Sequence, residues 1–183
     1  MRLCVIISHD DRGQPVATQA AVQPIVDRMK QICKDETNVT VYDHFDSDAR
    51  TPNVEPSCGA DGWLEDLWLP GSQFENSASL NCREYSFASV IGIGSPIYAF
   101  VVKNVKGKNA CSLGPLTNYI VFEPGNACAG NTHLAHEVGH ACNLLHTSDQ
   151  TNLMFKACLS AGRDQVSGFQ KSIIRGSKYV TYF

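Results

Sequence analysis

The sequence has no CxxC pair, no cluster of lysine and arginine interleaved with aromatics, and no long unbroken apolar run. The missing CxxC argues against a zinc ribbon and against a thioredoxin-like redox site. The missing basic stripe, with a formal net charge of -3, argues against a nucleic acid partner. The most apolar stretch, from Phe87 to Val102, is interrupted by Gly92, Gly94, Ser95 and Pro96. A spanning helix needs ~20 mostly apolar residues, so two strands around a turn are expected there and no membrane partner. The opening residues, MRLCVIIS, run straight into His9, Asp10, Asp11 and Arg12, which is not a signal-peptide pattern. Internal repeats and low-complexity tracts are also missing.

What is present fits one globular domain. A chain of 183 residues with 43% hydrophobic and 18% charged residues can bury a sizeable core. A single domain over residues 1–183 is expected, with a first part to about 143 and a smaller one from about 144. Eight cysteines point to disulfides and an oxidising, extracellular location, with any signal peptide absent from this sequence. Pairing of neighbours is expected: Cys4–Cys33, Cys58–Cys82, Cys111–Cys128 and Cys142–Cys158.

Leu3 to Ser8 reads as a buried strand. Val22, Ile25, Val26, Met29, Ile32 and Cys33 recur at helical spacing, with Pro24 expected near the first turn or at a kink. Val39 to Phe45 reads as a second strand, giving a parallel β-α-β unit. Residues 46–82 read as an irregular insertion. Strands are expected over Tyr85–Ile93, Ile97–Val102 and Tyr119–Glu123, with a turn over Lys103–Lys108 and a loop over Pro124–Gly130. Helices are expected over Asn131–Asn143 and Asp164–Arg175.

The chemistry concentrates at His136-Glu137-Val138-Gly139-His140. Residues four apart share a helix face, so two imidazoles can meet one ion while Glu137 lies beside them. Leu134, Val138, Ala141 and Leu145 fall on the opposite face and should pack on the sheet. His146 follows ten positions after His136, and reaching the same ion requires a turn. Asn143 is suited to make it, because asparagine tolerates the left-handed conformation that ends helices.

His136 to His146 resembles the extended metzincin motif H-E-x-x-H-x-x-G-x-x-H, with Asn143 in the glycine position. Asn152-Leu153-Met154-Phe155 resembles the Met-turn of that family, whose methionine forms an apolar floor beneath the metal. Lys156 stands where some members carry a tyrosine ligand, so none is expected, and Thr147 matches no particular subfamily. The resemblance implies an α/β metzincin-like zincin fold: a twisted mixed sheet, a backing helix and a zinc-binding helix. A small C-terminal subdomain follows, with the Met-turn and a helix over Leu159 to Val180. It also implies a zinc metalloendopeptidase acting on peptide or protein substrates. One Zn2+ on His136, His140 and His146 would activate water, with Glu137 as general base. Substrate is expected to pair with an edge strand at Ala110, Cys111, Ser112 and Leu113. The pocket for the residue after the scissile bond should lie between the zinc helix and the segment following Met154.

The competing readings are a non-catalytic module that keeps zinc for stability, and a hydrolase of cell-wall peptides. A monomer is expected. His133 is expected as a partly exposed residue at the helix start, and His9 and His44 as solvated residues at strand ends. Asp43, Asp46 and Asp48 are weighed as part of a Ca2+ site and read rather as a charged exposed loop, since the spacing lacks the glycine and distal glutamate of an EF-hand. Pro56-Ser57-Cys58-Gly59 faintly echoes a cysteine switch, but a disulfide role for Cys58 is expected.

Overall fold

The computed structural model describes residues 1–48, 70–82, 94–112, 117–125, 130–157 and 163–182, with side chains from 74 onward in the second segment. Among them are β1 (Arg2–Ser8), α1 (Gln19–Thr37), β2 (Tyr42–Asp48), α2 (Pro70–Leu80), β3 (Ile97–Val101), β4 (Ala110–Ser112), β5 (Tyr119–Phe122), α3 (His133–Ala141) and α4 (Gly168–Arg175). The strands form one sheet in the order β2-β1-β3-β5-β4. β2, β1, β3 and β5 run parallel, and β4 closes the edge antiparallel to β5.

Strand β1 shows why the sheet has layers on both faces. Successive side chains alternate between faces. Leu3, Val5 and Ile7 join α1 in the larger core, while Cys4 and Ile6 join Phe74, Ala78 and Cys82 on the other side. The predicted helical stripe is the buried face of α1: Val22, Ile25, Val26, Met29, Ile32 and Cys33. Thr18 caps that helix by accepting from the Ala21 N–H, and Asn38 ends it in the left-handed region at φ 55°. Pro24 lies inside the helix, one turn further in than expected.

Several expectations shift. The second strand begins at Tyr42 rather than Val39 and continues to Asp48. The expected irregular segment 46–82 ends in helix α2, whose Phe74 packs at a tilt against Phe100 and Tyr119. The last helix starts at Gly168, because Ser167 and Gln170 form a reciprocal capping box there. The turn before β4 is present, with Val105 bridging Lys108. Tyr85–Ile93, Cys58 with its neighbours, and most of the loop 124–130 lie outside the described residues.

The disulfide expectation is corrected. Cys4 bonds Cys82, and Cys33 and Cys142 are free and buried. The period of β1 is the reason: Cys4 faces the α2 side, whereas Cys33 sits in the core on the opposite face. Cys33–Cys4, Cys58–Cys82 and Cys142–Cys158 are therefore all excluded. Cys111 is disulfide-bonded, with its partner outside the described residues. Closing a segment of 78 residues, the Cys4–Cys82 bond should stabilise the fold by about 2–4 kcal/mol. Non-reducing peptide mapping should recover that linkage, and Cys82→Ser should lower the unfolding midpoint. A Cys4–Cys33 peptide would overturn the assignment.

The exposed-loop reading of the neighbouring aspartates is corrected, and the calcium alternative has no support. Asp43, Asp46 and Asp48 lie on strand β2, not in a loop. Asp43 pairs with Lys30. Asp48 is buried and accepts from Ser77 Oγ and Asn81 Nδ2 at 2.7 Å each. Alternation puts Asp43 on the opposite face from Asp46 and Asp48, so the three cannot converge on one ion. No helix among the described residues is long and apolar enough to cross a membrane.

Candidate metal centre

Helix α3 packs against β4, β5 and α1, burying Leu134, Val138 and Ala141. Leu145, expected on the same face, is 81% exposed. The helix ends at Ala141, and Asn143 then adopts φ 72°. That left-handed residue swings Leu145 out, brings Leu144 into the core and returns His146 towards the histidine face. The expected turn is thus made at the expected residue.

The three histidines meet at their Nε2 atoms. His140 Nε2 lies 3.1 Å from Nε2 of both His136 and His146. The other ring nitrogens explain the orientation. His136 Nδ1 donates to the Leu153 carbonyl at 2.7 Å, and His140 Nδ1 donates to the Leu144 carbonyl at 2.8 Å. A carbonyl only accepts, so both Nδ1 atoms carry the proton and both Nε2 atoms present lone pairs. Two facing lone pairs at this distance repel unless a cation lies between them. Tetrahedral zinc with Zn–N of ~2.0–2.1 Å separates its nitrogen ligands by ~3.3 Å, close to the spacing seen. Burial holds His136 down to about 3 and also lowers His140 and His146, which keeps all three imidazoles neutral. The donor set fits zinc.

Met154 is fully buried against Gly139 of α3. Its N–H donates to Asn152 Oδ1 at 2.9 Å, and Asn152 also exchanges hydrogen bonds with Gln170 on α4. The next residues fold back so that the Thr147 N–H donates to the Met154 carbonyl at 3.0 Å. A Cβ on Gly139 would stand 2.5 Å from Met154 Sδ. Glycine at mid-helix normally costs ~0.5–1 kcal/mol relative to alanine, yet here it admits the methionine. Gly139→Ala should therefore destabilise by about 1–3 kcal/mol through overpacking, and adding Met154→Val should recover part of the loss. Denaturant melts in a double-mutant cycle check this, and additive effects would refute the close approach.

Glu137 is 8% exposed and lies beside the triad in a cleft of about 560 Å³. Burial pushes its carboxyl up to about 8, against Lys108, Arg163 and the Ser112 backbone N–H, which each favour the charged form. Ser112 belongs to β4, the edge strand, so the carboxylate is tied to the cleft's far wall. Ala110, Cys111 and Ser112, the residues expected to pair with substrate, line the cleft, and Leu113 lies outside the described residues.

His133 departs from its expected exposure. It is 3% exposed, beside Phe122, and burial lowers it to about 4. Neither ring nitrogen makes a hydrogen bond, although the Glu123 backbone is near enough to favour the protonated ring. His9 is held by Gly13 and Ser47, and His44 lies within β2 rather than at its end. A second cluster, His44, Asp46 and Cys82, loses its sulfur ligand to the Cys4 disulfide.

Sequence reasoning missed Lys108, Gly139 and Arg163. Gly139 had a signal, as a glycine inside an otherwise well-formed helix. Arg163 had none: it comes from a separate segment and reaches Thr132 Oγ1 and the Phe155 and Ala157 carbonyls.

No family model and no curated protein matches the sequence. Solved structures with a similar fold include a zinc-dependent peptidase from Methanocorpusculum labreanum, at 12% identity and TM-score 0.55, covering 93% of this chain and 99% of that one. Archaemetzincin from Methanopyrus kandleri gives 14% and 0.51, covering 96% and 93%. Metalloproteinase-II from Bacteroides fragilis gives 13% and 0.52 over 94% of this chain, which spans only 52% of that one. At such identities the shared property is the fold, and the chain has the mixed α/β architecture of these metallopeptidases.

Proposed function

We infer that this chain is a zinc-dependent metalloendopeptidase of the metzincin type. The observation that carries the reading is the convergence of three Nε2 atoms, two of them with lone pairs fixed by Nδ1 hydrogen bonds, beside a buried carboxylate in an open cleft. His136, His140 and His146 would hold the metal. Zinc, when bound there, supplies a Lewis acid and lowers the pKa of water that reaches it towards ~7.

The remaining steps belong to the chain. Glu137 accepts the proton of the attacking water and passes it to the leaving amine. Ser112, Lys108 and Arg163 favour the charged carboxylate against the opposing effect of burial. The Leu153 and Leu144 carbonyls hold the rings of His136 and His140. Met154 closes the floor and keeps water out from below. Ala110 to Leu113 would lie alongside an extended substrate, since an edge strand offers main-chain groups to an incoming chain. The Ser112 N–H is already committed to Glu137. We assign the whole chain to one catalytic domain, with the break after Asn143. The Cys4–Cys82 bond supports an oxidising, extracellular setting.

Digestion of casein by the zinc-loaded chain, with and without a chelator, tests the reading. Chelator-sensitive cleavage is expected. Zinc binding without cleavage would favour a non-catalytic module, and cleavage confined to cell-wall peptides would favour a different substrate.

A further inference from the structure

Strands β1 and β2 end side by side, with Ile7 in register with Ser47. A tight loop follows β1. Asp10 Oδ1 accepts from the Arg12 and Gln14 N–H groups, and Gly13 makes the turn at φ 73°. His9 then bridges Pro15, and the Val16 N–H donates to the Ser8 carbonyl at 2.9 Å. The loop so closed holds the Gly13 carbonyl against the His9 ring, whose Nδ1 donates to it at 3.0 Å. A carbonyl only accepts, so in the neutral ring the proton is on Nδ1 and the lone pair on Nε2. That lone pair receives a hydrogen bond from Ser47 Oγ at 2.7 Å, across from the end of β2. A hydroxyl bonded to an imidazole that a third group orients is the arrangement of an activated serine.

A second observation gives the serine something to act on. Ser47 lines a cavity of about 480 Å³ together with Ile7, Pro15, Phe45 and Gln19, none of which lines the metal cleft. That volume suits a small molecule. The cavity lies at the carboxyl ends of β1 and β2 and at the start of α1, where open α/β sheets receive ligands. Within the first turn of α1, Thr18 Oγ1 takes the Ala21 N–H. The Gln19 and Ala20 N–H groups precede the first intrahelical bond and can meet developing negative charge. Asp46 Oδ1 accepts from the Ser47 N–H at 2.8 Å, which sets a carboxylate nearby and disfavours an anionic substrate.

We propose that Ser47 and His9 form a second catalytic site, which hydrolyses small neutral carboxylic esters through an acyl-serine. Ser47 Oγ attacks the ester carbonyl while its proton passes to His9 Nε2. The Gln19 and Ala20 N–H groups meet the oxyanion. The bond to the alkoxy oxygen then breaks, and that oxygen leaves as the alcohol with the proton from Nε2. Water attacks the acyl-serine by the same route, which releases the carboxylic acid and restores the serine. Ile7, Pro15 and Phe45 form the apolar wall that receives the acyl chain. No step passes through the histidine triad, so this site is independent of the peptidase reading.

The test is hydrolysis of p-nitrophenyl butyrate by the full chain in the presence of a chelator, beside labelling with a fluorophosphonate. Hydrolysis should persist without metal, and mass spectrometry should locate the label on Ser47. His9→Ala should lower the rate by ~10²–10⁴-fold, the range for a positioned base. Ser47→Ala should lower it at least as far and abolish labelling. Ser47 is exposed and His9 half-buried, so both variants should fold, which circular dichroism checks. Hydrolysis unchanged in Ser47→Ala, or a label on any other residue, overturns the site. So does a parent chain that neither hydrolyses the ester nor takes the label. Hydrolysis lost with the chelator moves the activity to the metal centre and overturns the site as well. Casein digestion is a separate readout, so either reading can fail without the other.

Discussion

Glu137→Ala should lower peptide-bond cleavage by ~10²–10⁴-fold, the range for removing a general base, while leaving zinc content unchanged. The separation of the two readouts follows from the geometry. The Nε2 atoms of His136 and His140 are oriented by the Leu153 and Leu144 carbonyls, not by Glu137. Removing the carboxylate also relieves the burial that pushes it up to about 8, so the variant should fold at least as stably as the parent. Steady-state cleavage beside metal analysis of the same preparation checks both halves. Activity within a few-fold of the parent would remove Glu137 from the mechanism, and loss of zinc would make it a ligand instead.

Zinc should raise the unfolding temperature markedly. A ligand at 1,000 times its dissociation constant stabilises by about 4 kcal/mol. For a chain of this size each kcal/mol shifts the midpoint by ~2–4 °C, so a rise of roughly 8–16 °C is expected. His136→Ala, His140→Ala and His146→Ala should each abolish most of it. His133→Ala should keep it, because its ring lies on the Phe122 side and outside the Nε2 cluster. A zinc-dependent rise that survives His146→Ala but not His133→Ala would reassign the third ligand.

The parallel β-α-β opening, the stripe of α1 and the helix carrying His136 and His140 were legible in the sequence. Each depends on a period within one element: apolar runs for strands, 3.6 residues for helices, and four-residue spacing for paired ligands. The return of His146 was legible too, because the left-handed tolerance of asparagine is a property of the residue itself, and Asn143 sits at φ 72°. Leu145 was misplaced by extending that same periodicity past the residue that breaks it. Helix α2 was obscured by the Gly, Asn and Ser content of Pro70–Leu80, which has weak helical propensity and is held by burial of Phe74.

The local chemistry of this protein was therefore determined by its sequence: which residues can bind a metal, which carboxylate lies beside them and where the chain must turn. Tertiary structure alone decided the pairings between distant segments. Cys4 finds Cys82 because both lie on one face of a sheet assembled from strands far apart in the chain. Arg163 reaches the cleft, His133 becomes buried, and Ser112 meets Glu137 for the same reason. These contacts depend on which faces of which elements meet. No residue's propensity or spacing encodes that, because it is settled only when the separate apolar faces are buried together.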